Sequence, residues 1–282
     1  FHATALSGSN SLGSEGGTQG DEIERLAALF SDLSGRVRSQ MAVLRETDDM
    51  RRSMVANISH DLRTPLTTLQ AHLDTLSMKD GELTSAERRQ YLATAIAQCR
   101  RLTRLIVQLL ELAKLDAGQV VPLPEPFQLT ELVQDIVQKF SLTASARQVS
   151  LRADCEDVLP LVTGDISLIE RVIDNLMDNA IQHSPPGGTV VLSATPGSPG
   201  HVRLEVADGG PGIAPEDRDR IFDRFFRGDR SRSGGQANAG LGLAIVKSIL
   251  DLHGIAIAVH SEPGSGASFS FELPLHEPQA QP

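Results

Sequence analysis

From residue 21 onward, apolar residues recur every three or four positions. In "DEIERLAALFSDL" the residues Ile23, Leu26, Leu29, Phe30 and Leu33 share one face, which predicts an amphipathic helix. Gly35 interrupts that pattern, and it resumes through "RVRSQMAVLRETDDMRRSMVANISHDL". A heptad register begun at Val55 places Leu62, Leu69 and Leu76 at position a, Ile58 at d, and Leu66 and Leu73 at e. Such a seam calls for a partner helix. "MKDGELTS" reads as a turn, with Ser85 as the cap of a second helix starting near "AERRQ". Leu92, Ile96, Cys99, Leu102, Ile106, Leu109 and Ala113 form its predicted stripe, which fades at "LDAGQ". Two antiparallel helices bury little alone, so two hairpins are expected to pair into a dimeric four-helix bundle.

"AGQVVPLPEPF" is a Pro-rich linker. After it the periodicity changes. "EPFQLTELVQDIVQKFS" predicts a strand then a helix, "SLRADC" a strand, and "DISLIERVIDNLMDNAIQH" a helix. "GGTVVLSATP" and "HVRLEVAD" alternate as strands do. "GLGLAIVKSILDLHG" predicts a helix ended by Gly254, and "GIAIAVHSEPGSGASFSFELPL" a closing hairpin. Helices mixed with antiparallel strands predict an α+β sandwich. The chain thus reads as multi-domain: an all-α hairpin that dimerises, followed by an α+β domain. No internal repeat is visible.

Bulk composition narrows the partners. The net charge of −10 over 282 residues repels a phosphate backbone, and 4% aromatics with no Trp supplies few stacking platforms. Nucleic acid is therefore excluded as a partner. Cys99 and Cys155 have no metal or redox spacing and read as buried or half-buried free thiols. No apolar run reaches the ~18 residues that a membrane span needs. The chain begins at Phe1 rather than Met, so the expected object is a processed or partial protein.

The chemistry-bearing residues fall into four clusters. In "NISHDLRTPL", His60 takes position f, farthest from the seam, with Asp61 beside it and Thr64 one turn on. A neutral imidazole is a nucleophile near neutral pH, and a neighbouring carboxylate can fix its tautomer. Pro65, in the same run, removes one helical hydrogen bond, and such breaks often mark functional sites. By itself a histidine on a helix face is more often only a solvated side chain. In "NLMDNAIQHSPPGG", Asn175 and Asn179 lie one turn apart, and a carboxamide oxygen suits Mg²⁺. In "DGGPGI", Asp208 ends a strand, and Gly209, Gly210 and Gly212 permit a sharp turn close to a ligand. In "AGLGLAIV", Gly240 and Gly242 open a helix whose free amides can take phosphate. Each of these three, alone, is as well explained by a plain turn or a solvated helix face.

In order and together they resemble a known family. "SMVANISHDLRTPLTTL" resembles the H-box of the dimerisation and phosphoacceptor domain of sensor histidine kinases. The asparagine, "DGGPGI" and "AGLGLAIV" clusters resemble the N, G1 and G2 boxes of the GHKL (Bergerat) ATP-binding fold, and "IFDRFFRGDRSRS" resembles its F box. "DEIERLAALFSDLSGRVRSQ" resembles, more loosely, the second helix of a HAMP relay. The H-box to G2 resemblance covers about residues 50–275.

The resemblance implies a two-component protein-histidine kinase that uses ATP and Mg²⁺. His60 is then the phosphorylated residue. Asp61 orients its ring and assists proton removal, and Thr64 holds a water for dephosphorylation. Asn179 ligates Mg²⁺ and Asn175 supports the phosphate side. Asp208 accepts from the adenine amino group, Gly210 and Gly212 shape the pocket floor, and Gly240 and Gly242 meet the phosphates. The segment from Phe226 to Ala239 is the implied ATP lid, with Arg227, Arg230 and Arg232 neutralising phosphate charge. Implied partners are a second copy of the chain through the helical hairpin and the receiver domain of a response regulator, with phosphatase activity toward it. The implied location is the cytoplasmic portion of a bacterial inner-membrane sensor, the fragment itself being soluble and joined to the membrane only by an upstream segment. The expected domains are a flexible connector 1–20, a HAMP-like helix 21–45, the phosphotransfer hairpin 46–117, a linker 118–126, the ATP domain 127–276 and a tail 277–282.

Three positions depart from the family pattern. Gln182 stands where a lysine is frequent, Gly209 where Asn is common, and Asn238 in place of the first glycine of G2. Two other functions compete. A clamp-type GHKL ATPase carries a glutamate base one turn before the magnesium asparagine, where this chain has Asn175. A non-enzymatic dimeric adaptor would have a decayed ATP site, yet Asn179, Asp208 and the glycines are all present.

Overall fold

The computed structural model describes residues 17–79, 81, 83–156, 158–226, 228 and 240–276. Within the first helix it describes the side chains of 30, 33, 35–41 and those from 56 onward. Arg227, Arg230, Arg232, Asn238, the tail 277–282 and most of the connector lie outside the described residues. The chain divides into two compact units, Phe1–Ala56 and Asn57–Pro282. In the first unit the described structure is helix from Gly17, inside the stretch expected to be connector, and the helix passes through Gly35 without a break. A helical glycine costs only about 1 kcal/mol relative to alanine, too little to stop a helix by itself.

In the second unit, helix α1 (Gly17–Met78) ends and α2 (Ser85–Asp116) begins after a short turn. The cap of α2 is Thr84, not Ser85. Its hydroxyl accepts from the Glu87 amide at 3.3 Å, and the Glu87 carboxylate accepts from the Thr84 amide at 2.8 Å, a reciprocal capping box. Two adjacent hydroxyl residues left that choice to the glutamate three positions on.

The predicted stripe of α2 is not its buried face. Ala95, Leu105, Leu112 and Leu115 are buried, while Leu92, Ile96, Cys99 and Ile106 are exposed. The helix therefore carries two apolar faces, one covered within the chain and one open. Cys99 is exposed and Cys155 half-buried, so the first of the two thiols is not buried as expected.

After the linker come β1 (Glu125–Phe127), α3 (Leu129–Ala146), β2 (Ser150–Cys155), β3 (Val162–Gly164), α4 (Ile166–His183), β4 (Thr189–Pro196), β5 (His201–Asp208), α5 (Gly242–Leu252), β6 (Ile257–Ser261) and β7 (Ala267–Pro274). The main sheet runs β2-β4-β5-β7-β6. It is mixed rather than purely antiparallel: β2 pairs with β4 in parallel, Ser150 opposite Thr189, and the other pairs are antiparallel. β1 and β3 form a separate two-stranded ribbon.

Strand alternation puts Val190, Leu192, Ala194, Val202, Leu204, Val206, Phe269, Phe271 and Leu273 on one buried face. The helices α3, α4 and α5 supply the facing layer. In α4, Ile169, Val172, Ile173, Leu176, Met177, Ala180 and Ile181 are all but fully buried. The start of α4 is fixed by Asp165, whose carboxylate accepts from the Ser167 and Leu168 amides at 3.1 Å and from the Leu123 amide of the linker at 3.0 Å. Position and rotation of α4 are thereby set, and with them every side chain it presents on its other face.

Candidate functional site

That other face of α4 opens onto a cavity of about 440 Å³ between α4, the end of β5, and the start of α5. Asn175, Asn179, Asp208, Gly212, Gly240 and Gly242 all line it. Six residues separated by up to 67 positions thus meet around one space. Gly210 lies just behind the wall, its amide donating to Asp208 Oδ1 at 2.8 Å.

Asn175 is 6% exposed, and its Nδ2 donates to the Arg171 carbonyl at 2.8 Å. A buried amide held this way presents its oxygen in a fixed direction. A Cβ added to Gly242 would sit 3.3 Å from that oxygen, so the start of α5 packs tightly on Asn175. The N-cap residue of α5, Leu241, offers no side-chain cap. The first amides of α5 are left without an intrahelical partner beside the cavity, an arrangement suited to an anion.

The loop after β5 needs its glycines. A Cβ on Gly210 would fall 2.7 Å from Asp208 Oδ1 and 2.8 Å from the His183 carbonyl. Gly212 has φ +72°, and a Cβ there would collide with the Glu262 carbonyl. Gly212→Ala is therefore expected to cost more than the roughly 1–2 kcal/mol of left-handed strain alone and to lower Tm measurably in a thermal melt. Gly209, by contrast, has open space around it, so the asparagine usual in the family would fit there.

Burial pushes the Asp208 carboxyl above its ordinary value, against the opposing pull of the Gly210 amide, His183 and the Ala267 amide. Burial pushes the His183 imidazole down, with Asp208 opposing. Asp178, also in the wall, is raised by burial first, with Arg104 working against it. Asp178, His183 and Gln108 belong to the cavity and escaped the sequence reading. For the first two the signal was there, since Asp178 precedes Asn179 and His183 lies one turn beyond it.

The cavity is bordered by an unusual backbone. Phe225 has φ +61°, a strained value for an aromatic residue. Its amide donates to the Gly240 carbonyl at 2.9 Å, which brings together the two ends of the segment holding Arg227. Gln182 lines the cavity where the family often has lysine.

His60, Asp61 and Thr64 lie on α1 and not in the cavity wall. The His60 side chain is 78% exposed, and its Nδ1 is 3.2 Å from Asp61 Oδ1. The Thr64 hydroxyl donates to the His60 carbonyl at 3.2 Å. Pro65 lies inside the helix, is buried, and has no amide to offer the Asp61 carbonyl.

Comparison with known proteins gives the same two parts. Residues 50–118 match the family "His Kinase A (phospho-acceptor) domain", and residues 164–277 match "Histidine kinase-, DNA gyrase B-, and HSP90-like ATPase". The chain belongs to the sensor histidine kinases of two-component systems. Among relatives, the sensor protein DivL of Caulobacter vibrioides is 37% identical over 86% of this chain and 30% of its own length. The sensor-like histidine kinase SenX3 of Mycobacterium bovis is 34% identical over 90% of this chain and 59% of its own. The chain thus spans less than two thirds of the length of these relatives. The structure of ShkA in complex with AMPPNP aligns with TM-score 0.59 at 30% identity, over 79% of this chain and 46% of that one. The HAMP-like reading of 21–45 rests on the resemblance of its sequence alone. Among the described residues, no helix is long and apolar enough to cross a membrane.

Proposed function

We propose that this chain binds ATP with Mg²⁺ in the α4–β5–α5 cavity, phosphorylates His60, and passes the phosphoryl group to an aspartate of a response regulator. The observation that carries the reading is the convergence of Asn175, Asn179, Asp208, Gly212, Gly240 and Gly242 on one cavity, in a chain whose α1 also carries a solvent-facing histidine. The fit to a nucleotide rests on the uncapped start of α5, the glycine cradle and the half-buried Asp208 carboxylate in the same wall.

Each residue has a defined task in this account. Asp208 accepts from the adenine amino group, which selects adenine over guanine. Gly210 and Gly212 let the backbone approach, and the amides near Gly242 hold phosphate oxygens. Asn179, with Asn175 behind it, is the carboxamide for Mg²⁺, which neutralises phosphate charge when bound. Arg227 is assigned to the phosphates by resemblance.

At His60, the tautomer that donates Nδ1–H to Asp61 leaves the Nε2 lone pair facing solvent. Nε2 forms the new N–P bond as the bond from the γ-phosphorus to the bridging oxygen breaks, and ADP departs with that electron pair. Asp61 stabilises the cationic ring and takes up its Nδ1 proton. Little covalent help is needed from the protein, because positioning and charge neutralisation dominate phosphoryl transfer. Thr64 is suited, once its hydroxyl leaves the His60 carbonyl, to hold the water that hydrolyses the phosphoryl group from His60 or from the partner, releasing inorganic phosphate. A clamp-type ATPase is disfavoured, since the Asn175 carboxamide cannot act as a general base.

The open apolar residues of the hairpin, among them Leu66, Leu73, Leu92, Ile96, Ile106 and Leu110, support homodimerisation through a four-helix bundle. The full-length protein is proposed to be an inner-membrane sensor with this part cytoplasmic.

Two experiments test the reading. Incubation with γ-labelled ATP and Mg²⁺ is expected to give acid-labile, base-stable label; absence of label despite ATP binding contradicts kinase activity. Nucleotide affinity is expected to weaken as pH falls. The adenine amino group needs the ionised Asp208, and burial makes that carboxylate protonate above the ordinary aspartate range near 4. The stability of the nucleotide-free fold responds in the opposite sense. With the folded-state pKa raised, Asp208 destabilises the fold at high pH and ceases to do so as pH falls through that value. Equilibrium titrations between pH 8 and 5 check the first trend, which should flatten in Asp208→Asn.

A further inference from the structure

One residue of the cavity wall does not come from the ATP domain. Gln108 is on α2, the second helix of the phosphoacceptor hairpin, and it faces the same space as Asp178 and Asn179. α2 is held at that position by two ion pairs. The Arg171 guanidinium grips Glu111 with both Nε and Nη2, at 2.9 Å to Oε1 and 2.6 Å to Oε2. Arg224 Nη2 reaches Asp116 Oδ1 at 2.6 Å. Leu112 and Leu115 between these pairs, and Leu105 before them, join the core cluster formed with α4 and α5.

The ion pairs sit at the two elements that shape the cavity. Arg171 is one turn before Asn175 and holds the Asn175 amide through its own carbonyl. Arg224 immediately precedes the strained Phe225, whose amide ties off the segment returning at Gly240. Arg104, one turn before Gln108, is among the charges acting on Asp178.

We propose that Gln108 is a nucleotide-contacting residue supplied by the phosphoacceptor hairpin, so that occupancy of the cavity is coupled to docking of α2 on α4. The inference rests on the ATP reading above. A neutral carboxamide suits the position. It can donate to or accept from the nucleotide's polar groups without adding to the negative charge that Asp178 and the phosphates already bring. A ligand touched by both sides of an interface favours the closed interface by its differential affinity, and closure favours the ligand equally.

The test is a titration with AMPPNP and Mg²⁺ of four proteins: the parent, Gln108→Ala, the undocking pair Glu111→Gln with Asp116→Asn, and all three changes together. In the parent background Gln108→Ala is expected to weaken binding about five- to tenfold, at the low end of measured site–site couplings. In the undocked background the same change is expected to do nothing, and the pair alone to weaken binding. Hydrogen exchange adds a second readout: AMPPNP should slow exchange of the α2 amides around 104–112 in the parent and not in Gln108→Ala. Equal affinity of parent and Gln108→Ala overturns the proposal, as does an equal Gln108→Ala effect in both backgrounds. A parent that binds no AMPPNP overturns the ATP reading itself, and this inference with it.

Discussion

His60→Gln is expected to remove phosphorylation completely while leaving nucleotide binding unchanged. Among the described residues of α1 near Asp61, the imidazole is the group that can supply a neutral nitrogen nucleophile, and its side chain is 78% exposed. A glutamine preserves helix propensity and polarity but has no such nitrogen, since its amide lone pair is delocalised. His60 lies outside the cavity wall, so affinity for AMPPNP should not move. Asp61→Asn is the informative companion. It keeps the helix and removes the charge that stabilises the cationic ring, so it should slow phosphorylation without abolishing it. Labelling time courses on the three proteins separate the two roles.

Asp208→Ala is the second large effect. The carboxylate is half-buried at the end of β5 and accepts from the Gly210 amide at 2.8 Å and from the Ala267 amide. Removing it deletes the acceptor for the adenine amino group and leaves two buried donors short of a partner. A loss of about 10²-fold or more in ATP affinity is expected, because sites built around a hydrogen bond discriminate strongly when it is missing. Asp208→Asn retains shape and one oxygen but adds an N–H₂ facing a donor, so it should be nearly as severe. It should also narrow the preference for adenine over guanine nucleotides. Isothermal titration with ATP and GTP reads both effects.

Much of this was legible in the chain because it is written locally. The order of "NISHDLRTPL", "NLMDNAIQH", "DGGPGI" and "AGLGLAIV" needs no tertiary contact to be seen, and the helix and strand periods around each place it on an element. What escaped was set by distant neighbours. Val162–Gly164 is three residues long, too short to show a period, and is a strand only because β1 pairs with it. The parallel pairing of β2 with β4 depends on where α4 returns the chain. α2 bears apolar residues on two faces, and no residue within it says which one the chain itself will cover. Gln108 is an ordinary polar residue on a helix until α2 packs against α4. Arg227 and Asn238 are outside the described residues, so their assigned parts rest on the family pattern alone.

The most direct test of the central claim is to locate the phosphoryl group. The protein would be incubated with Mg²⁺ and γ-labelled ATP, digested with trypsin under alkaline conditions, and the label assigned by peptide. Cleavage after Arg52 and Arg63 yields residues 53–63, "SMVANISHDLR", in which His60 is the one histidine. The account predicts label on that peptide alone, lost on mild acid and absent in Asn179→Ala. Label on any other peptide, or label stable to acid, would contradict it.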